Sequence, residues 1–184
     1  MTEKDKMLSG EYYDPRDSAL VSLRLSARLL TEKLNQTSWA DRGERTKILK
    51  SLFGSTGEYI LIESTFNCDY GENIHVGENF YANAGCVILD AAEVLIGDDC
   101  VIGPQVGIYT ATHPINPQER ASVLGYAKAI KIGHNCWIGG HATINPGIKL
   151  GDNVVVASGS VVTKSFDDNV VIGGNPAKVL KNLL

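Results

Sequence analysis

From residue 62 onward apolar positions return every six residues. Hexads opening at Ile62, Cys68, Ile74, Phe80 and Cys86 read IESTFN, CDYGEN, IHVGEN, FYANAG and CVILDA. After a four-residue slip the series resumes at Ile96 with IGDDCV, IGPQVG and IYTATH. It begins again at Ile132 with IGHNCW, IGGHAT, INPGIK, LGDNVV, VASGSV and VTKSFD. A small or branched residue recurs at the fifth place: Cys100, Val106, Thr112, Cys136, Ala142, Ile148, Val154 and Ser160. A period of six matches neither an α-helix nor a simple amphipathic strand. It suits a coil with three flat sides, in which each hexad supplies a short strand and a turn. The opening residue points inward, and the Gly, Asn or Asp that follows accepts the turn's backbone geometry. Stacked coils form parallel sheets around an aliphatic ladder, each Å² removed from water contributing about 25 cal/mol.

Between the hexads opening at Ile108 and Ile132 lie 24 residues where six would do, so 18 are inserted. The phase survives, so the loop over residues 109–131 leaves the prism and returns without disturbing it. Loops of this length without structure of their own are uncommon and tend to carry function.

Residues 1–56 follow a different rule. Leu20, Leu23, Ala27, Leu30 and Leu34 recur at alternating spacings of three and four, which predicts a helix with one apolar face, capped by Asp17 or Ser18 and approached through Pro15. A second helix follows, with Ser38 and Asp41 as a capping box, Ile48, Leu49, Leu52 and Phe53 as its apolar face and Gly54 as its stop. The expected organisation is a helical segment over 1–56 and a β-helix domain over 57–184.

Composition narrows the function. With 17 Lys+Arg against 21 Asp+Glu the net charge is −4, and no basic run offers a footprint for nucleic acid. The first twenty residues contain no apolar signal region, and no later run approaches the roughly 20 residues of a membrane span. A cytoplasmic protein is expected. Cys68, Cys86, Cys100 and Cys136 form no C-x-x-C pair and occupy inward positions, where cysteine acts as a small buried hydrophobe.

The stretches FYANAG (80–85), IYTATHP (108–114), WIGGHATINPG (137–147), VVASGSVVTK (155–164) and GGNPAKV (173–179), with KMLSGEYYDP and CDYGENI before them, carry a resemblance over essentially the whole chain. The sequence resembles the maltose and galactoside O-acetyltransferases among the hexapeptide-repeat acyltransferases, and is most similar to the maltose type. That resemblance implies a left-handed parallel β-helix, an exception to the usual right-handed crossover. It also implies acetyl transfer from acetyl-CoA to a sugar hydroxyl within a homotrimer whose sites lie between neighbouring prisms. His113 matches the family's catalytic base, and imidazole suits proton removal from an attacking alcohol near neutral pH. Gly140 matches a backbone donor to the carbonyl oxygen.

For the acceptor the resemblance points to Asn83, Asp14, Asp69 and Asp90. The galactoside-type carboxylate beside Asp90 is replaced by Ala91, and Asp69 stands where those enzymes have serine. For acetyl-CoA it points to Ser158, Thr163, Lys164, Lys178, Lys181 and Trp137, lysine being a suitable point charge for CoA phosphates. His75, His134 and His141 do not match the three-histidine zinc pattern of hexapeptide-repeat carbonic anhydrases, so no metal is expected. Two other readings of this prism are a xenobiotic acetyltransferase acting on an antibiotic hydroxyl and a scaffold without catalysis.

Overall fold

Three ladders of inward side chains run the length of a parallel β-helix in the computed structural model, which describes residues 1–184. The first face carries β1 (Ile60–Ile62), β4 (Phe80–Ala82), β7 (Val101–Ile102), β12 (Trp137–Ile138), β15 (Val155–Val156) and β17 (Val170–Gly174), with β18 (Ala177–Asn182) folded back antiparallel on β17. The second carries β2 (Phe66–Cys68), β5 (Cys86–Leu89), β8 (Gly107–Tyr109), β13 (Thr143–Ile144) and β16 (Val161–Val162). The third carries β3 (Ile74–Val76), β6 (Val94–Ile96), β11 (Ile130–Ile132) and β14 (Lys149–Leu150). On the first face Ile62, Ala82, Ile102, Ile138, Val156 and Ile172 stack in register, and all six are buried.

The coils are unequal. Ile62 pairs with Ala82 and Ala82 with Ile102, steps of 20 residues; Ile138 pairs with Val156, a step of 18, and Val156 with Ile172, a step of 16. The extra residues of the early coils fall at one corner, between the second and third faces. There eight residues, not six, separate the stacked positions Cys68 from Val76 and Ile88 from Ile96. The inserted loop leaves from the same corner. The four-residue slip of the sequence is therefore two expansions of two residues: the residues in phase with Ile62 and Cys68 are Val76, Ala82 and Ile88, while Ile74, Phe80 and Cys86, two residues earlier, form a second buried and stacked set.

The loop has its own structure. β9 (Ala111–Thr112) pairs antiparallel with β10 (Tyr126–Ala127), and a single-turn helix at Pro117–Arg120 lies between them. Thr112 is consequently half-buried in this hairpin and not an inward residue of the prism, because the chain has already turned away. Two backbone hydrogen bonds, Tyr13 N–H to Gly125 O (3.0 Å) and Gly125 N–H to Tyr13 O (3.2 Å), fasten the hairpin to the N-terminal segment.

Turns between the third and first faces take left-handed backbone at Asn79, Asp99, Asn135, Asn153 and Asn169, with φ between 54° and 61°. Their side chains bond to one another along the prism, as from Asn135 to Asn153 (2.8 Å) and Asn153 to Asn169 (2.7 Å). Short polar side chains both tolerate this geometry and satisfy each other there.

The N-terminal segment forms α1 (Glu3–Ser9), α2 (Ser18–Gln36) and α3 (Arg42–Leu52). The first of these is absent from the sequence expectation. A capping box of Thr2 with Asp5 starts it, and Gly10 in left-handed geometry ends it. Asp17 caps α2 through the amides of Ala19 and Leu20. The expected Ser38–Asp41 box does not form: α3 begins after Asp41, which is itself the cap, accepting from Glu44 N–H, while Ser38 Oγ accepts from Ala40 N–H. Gly54 is needed for close approach, since a side chain there would meet Glu72 O and the His75 ring. Buried Arg45 donates to Leu34 O, Thr37 O and Ile62 O at 2.8, 2.9 and 2.7 Å, tying both long helices to β1. Leu34, Leu49, Leu52 and Phe53 join the same buried cluster as the ladder residues.

Candidate functional site

The corner that expands in the early coils builds a cleft of about 350 Å³. Its walls include Tyr13, Arg24 and Arg28 of α2, Asp69, Tyr70, and His113 at the root of the hairpin. His113 follows β9 directly and packs against Gly125, where an added side chain would touch the ring at 3.8 Å. The exposed imidazole has no hydrogen-bonding partner within the chain and is free to meet a ligand.

Asp69 is half-buried, and its carboxylate accepts no hydrogen bond from the chain. Burial pushes its carboxyl above the usual range, while the charges of Arg24 and Arg28 oppose that rise. Arg24 is committed to the fold: it donates to Tyr70 Oη (2.6 Å) and Pro15 O (2.5 Å), with its guanidinium 5.6 Å from the Tyr70 ring centre. Burial raises the Tyr13 hydroxyl to about 12, so it remains a neutral donor.

Asp90 departs from expectation. It is fully buried and does not line the cleft. Its Oδ1 accepts from the amides of Asp69 (3.0 Å) and Tyr70 (2.9 Å), and its carbonyl accepts from Asn73 Nδ2 (2.7 Å). Thr110 repeats the device one coil on, accepting from Ala92 N–H and donating to Leu89 O. A polar side chain from the next coil thus braces each expanded turn from inside, which is the physical reason Asp90 faces inward. Burial raises the Asp90 carboxyl to about 6. Asp14 also departs from expectation: its carboxylate pairs with Arg16 (2.9 Å), which holds it near 2, and only its neighbours Tyr13 and Pro15 reach the cleft.

The other expected residues lie elsewhere on the chain. Asn83, Gly140 and Ser158 occupy the corner between the first and second faces, at the opposite edge of the second face from His113. Asn83 Oδ1 accepts from Ala84 N–H (2.7 Å). Flanking amides at this corner are paired, Gly139 N–H with Val156 O and His141 N–H with Pro104 O, but the Gly140 N–H has no partner. Gly103 keeps it open, because a side chain there would press on Gly140 N at 2.6 Å. Thr163 and Lys164 lie at the expanded corner, in the last coil, with Lys164 Nζ 5.4 Å from the Phe166 ring centre. Trp137 projects from the first face, 56% exposed, and Lys178 and Lys181 are exposed on β18. One chain therefore brings His113 and Asp69 together but leaves Asn83 and Gly140 across a face.

Arg24 and Arg28 were not expected. Their sequence signal is an i, i+4 pair of cations on the face of α2 next to its apolar stripe. No group of three or more His, Cys, Asp or Glu side chains is arranged to hold a metal ion, and no helix is long and apolar enough to cross a membrane.

The family model described as "Maltose acetyltransferase hexapeptide capping motif" matches residues 6–57, and that described as "Hexapeptide repeat of succinyl-transferase" matches residues 129–164. A maltose O-acetyltransferase structure from Clostridium difficile 630 is similar at 49% identity and a TM-score of 0.99, covering 100% of this chain and 98% of its own. A hexapeptide-repeat acetyltransferase from Vibrio cholerae O1 biovar eltor, solved with acetyl coenzyme A, is similar at 34% identity and a TM-score of 0.92, covering 100% of both chains. The galactoside O-acetyltransferase of Escherichia coli K12 is 35% identical over 183 residues, 100% of this chain and 90% of its own.

Proposed function

Because the chain belongs to the maltose and galactoside O-acetyltransferase family of hexapeptide-repeat acyltransferases, we propose that it acetylates a sugar hydroxyl in the cytoplasm with His113 as general base. The chain is an acetyl-CoA-dependent acetyltransferase on a left-handed β-helix. The observation that carries the finer reading is a partner-free imidazole and a partner-free carboxylate, His113 and Asp69, in one cleft at the root of the inserted hairpin.

Asp69 accepts hydrogen bonds from acceptor hydroxyls and turns one of them toward His113. The imidazole takes that hydroxyl's proton as its oxygen attacks the thioester carbonyl carbon. The carbonyl oxygen becomes negative and is held by the Gly140 N–H, which has no competing partner. Collapse breaks the carbon–sulfur bond, and the imidazolium returns the proton to the departing thiolate.

Gly140 and His113 lie at opposite edges of the second face, so this scheme needs two chains. A threefold ring of prisms, each turning its second face to the axis, sets one edge of each chain against the other edge of its neighbour. Outward residues of that face are Asn67, Val87, Gly107, Thr143 and Val161, none charged. Asn83 and Gly140 of one chain then reach the acceptor and thioester held near His113 of the next. Trp137, Ser158, Thr163, Lys164, Lys178 and Lys181 line the acetyl-CoA groove between them, so that Lys164→Ala raises the KM for acetyl-CoA.

Replacing His113 by Ala tests the base: kcat falls by about two to four orders of magnitude with the KM for acetyl-CoA unchanged. Wild-type turnover in that variant removes His113 from the chemistry. Release of free CoA with a panel of sugars and hydroxylated antibiotics separates the sugar reading from a xenobiotic one. A scaffold without catalysis would release none.

A further inference from the structure

Thr110 is the last residue before the chain leaves the prism for the hairpin that carries His113, and it is fully buried. Four hydrogen bonds converge on it. Its N–H and its Oγ1 both donate to Leu89 O, at 3.0 and 2.7 Å, and its Oγ1 accepts from Ala92 N–H at 2.9 Å. Its carbonyl accepts from Lys128 N–H at 2.9 Å, where the hairpin returns. One residue therefore joins three stretches of chain: the expanded corner one coil earlier, the outgoing strand β9 and the segment that follows β10.

The side chain supplies what the backbone of this junction lacks. The corner holds eight residues in place of six, and the buried Ala92 amide makes no backbone hydrogen bond there; the Thr110 hydroxyl is its partner. A buried hydroxyl that both donates and accepts is fixed in direction. The braced corner, residues 89–92, also holds Asp90, whose Oδ1 accepts from the amides of Asp69 and Tyr70. A chain of bonds thus runs from the root of the hairpin, through Thr110, this corner and Asp90, to Asp69. His113 stands three residues beyond Thr110, and the paired Ala111 and Thr112 between them tie its position to that root.

Resting on the reading of His113 as general base, we infer that Thr110 is a positioning residue: its buried hydroxyl sets the placement of the His113 imidazole relative to the Asp69 carboxylate across the cleft. It does not line the cleft and touches neither acceptor nor coenzyme. Its effect falls on the step in which the hydroxyl oriented by Asp69 loses its proton, because an offset of about 1 Å in a bound geometry costs about a hundredfold in rate.

Steady-state kinetics on Thr110→Val, Thr110→Ser and Ile48→Ala, with acetyl-CoA and the best acceptor of the panel above, test this role. Valine keeps the branched shape and loses the hydroxyl, whereas serine keeps the hydroxyl. Ile48, buried in α3 and outside the cleft, provides a chain weakened elsewhere. In Thr110→Val kcat is expected to fall about tenfold to a hundredfold, with the KM for acetyl-CoA within about twofold. If that variant does not fold, Thr110→Cys, which keeps a weak donor, takes its place with a loss of about threefold to tenfold. Thr110→Ser stays within about threefold of wild type, and Ile48→Ala leaves kcat unchanged at a temperature where it is folded. Added to His113→Ala, Thr110→Val costs no further activity, since it acts through the imidazole. Wild-type kcat in Thr110→Val or its stand-in, an equal loss in Thr110→Ser or Ile48→Ala, or a further loss in the double variant overturns the positioning role and leaves His113 its own. No turnover of the panel by wild type, or full turnover in His113→Ala, overturns the reading above and the positioning role with it.

Discussion

Asp90 has one carboxylate oxygen accepting two backbone amides and another, Oδ2, with no partner at all. Its native carboxyl titrates at about 6 against an ordinary value of 3.8, so the folded chain keeps this proton where the unfolded chain loses it. The stability that goes with the neutral acid is complete below about pH 4 and is lost as pH rises through 6, an effect of about 3 kcal/mol. Asp90→Asn, neutral throughout, is expected to flatten the fall in urea midpoint between pH 4 and 7 relative to wild type. An unaltered slope would assign that titration to another group. Which way Asp90 faced was not legible in the sequence, because an expanded corner breaks the alternation that tells inward from outward. The place of His113 at the root of the inserted loop was legible, because the hexads break off just after it, although the chain has already left the prism at Ala111 and Thr112.

At the scale of elements, the hexads at Ile62 and Cys68 and those from Ile96 onward read in phase, apart from Thr112, while those at Ile74, Phe80 and Cys86 read two residues early. The cause is physical. In β3, β4 and β5 the residues two apart are both buried, Ile74 with Val76, Phe80 with Ala82 and Cys86 with Ile88, so a period of six can start on either. Only the pairing between coils decides, and pairing is not written in any one strand. Helix α1 was missed because its alternating charges resemble a solvated tail, although Thr2, Asp5 and Gly10 spell out both of its ends. The turn that carries Gly140 gives a sharper test. Gly103→Ala would set a methyl group against Gly140 N, and kcat is expected to fall about tenfold to a thousandfold while the maltose KM holds. Full turnover, in a variant whose melting curve shows it folded, would release that amide from its role.

Across the whole molecule, the proposed division of the site between the two edges of one face predicts that activity can be repaired by mixing. In the proposed trimer, equal amounts of His113→Ala and Asn83→Ala chains give junctions where an intact imidazole meets an intact Asn83. Random assembly makes these about a quarter of all junctions, so about a quarter of wild-type activity should return after the two inactive proteins are unfolded and refolded together. No recovery would mean that both residues serve a site within one chain. The family resemblance implied sites between neighbouring prisms, but the order of residues along the chain does not say which corner meets which neighbour.

The shortening of the coils from 20 to 18 to 16 residues ends at β17, where β18 turns back and occupies the edge that another coil would have taken. At the opposite rim α2 and α3 lie over β2 and β1. A stack of parallel strands is a ready template for fibre growth, and here one rim is blunted by α2 and α3 and the other by β18. Removing β18 should therefore expose a sticky rim and drive prisms to add end to end, a hazard that one returning strand holds off.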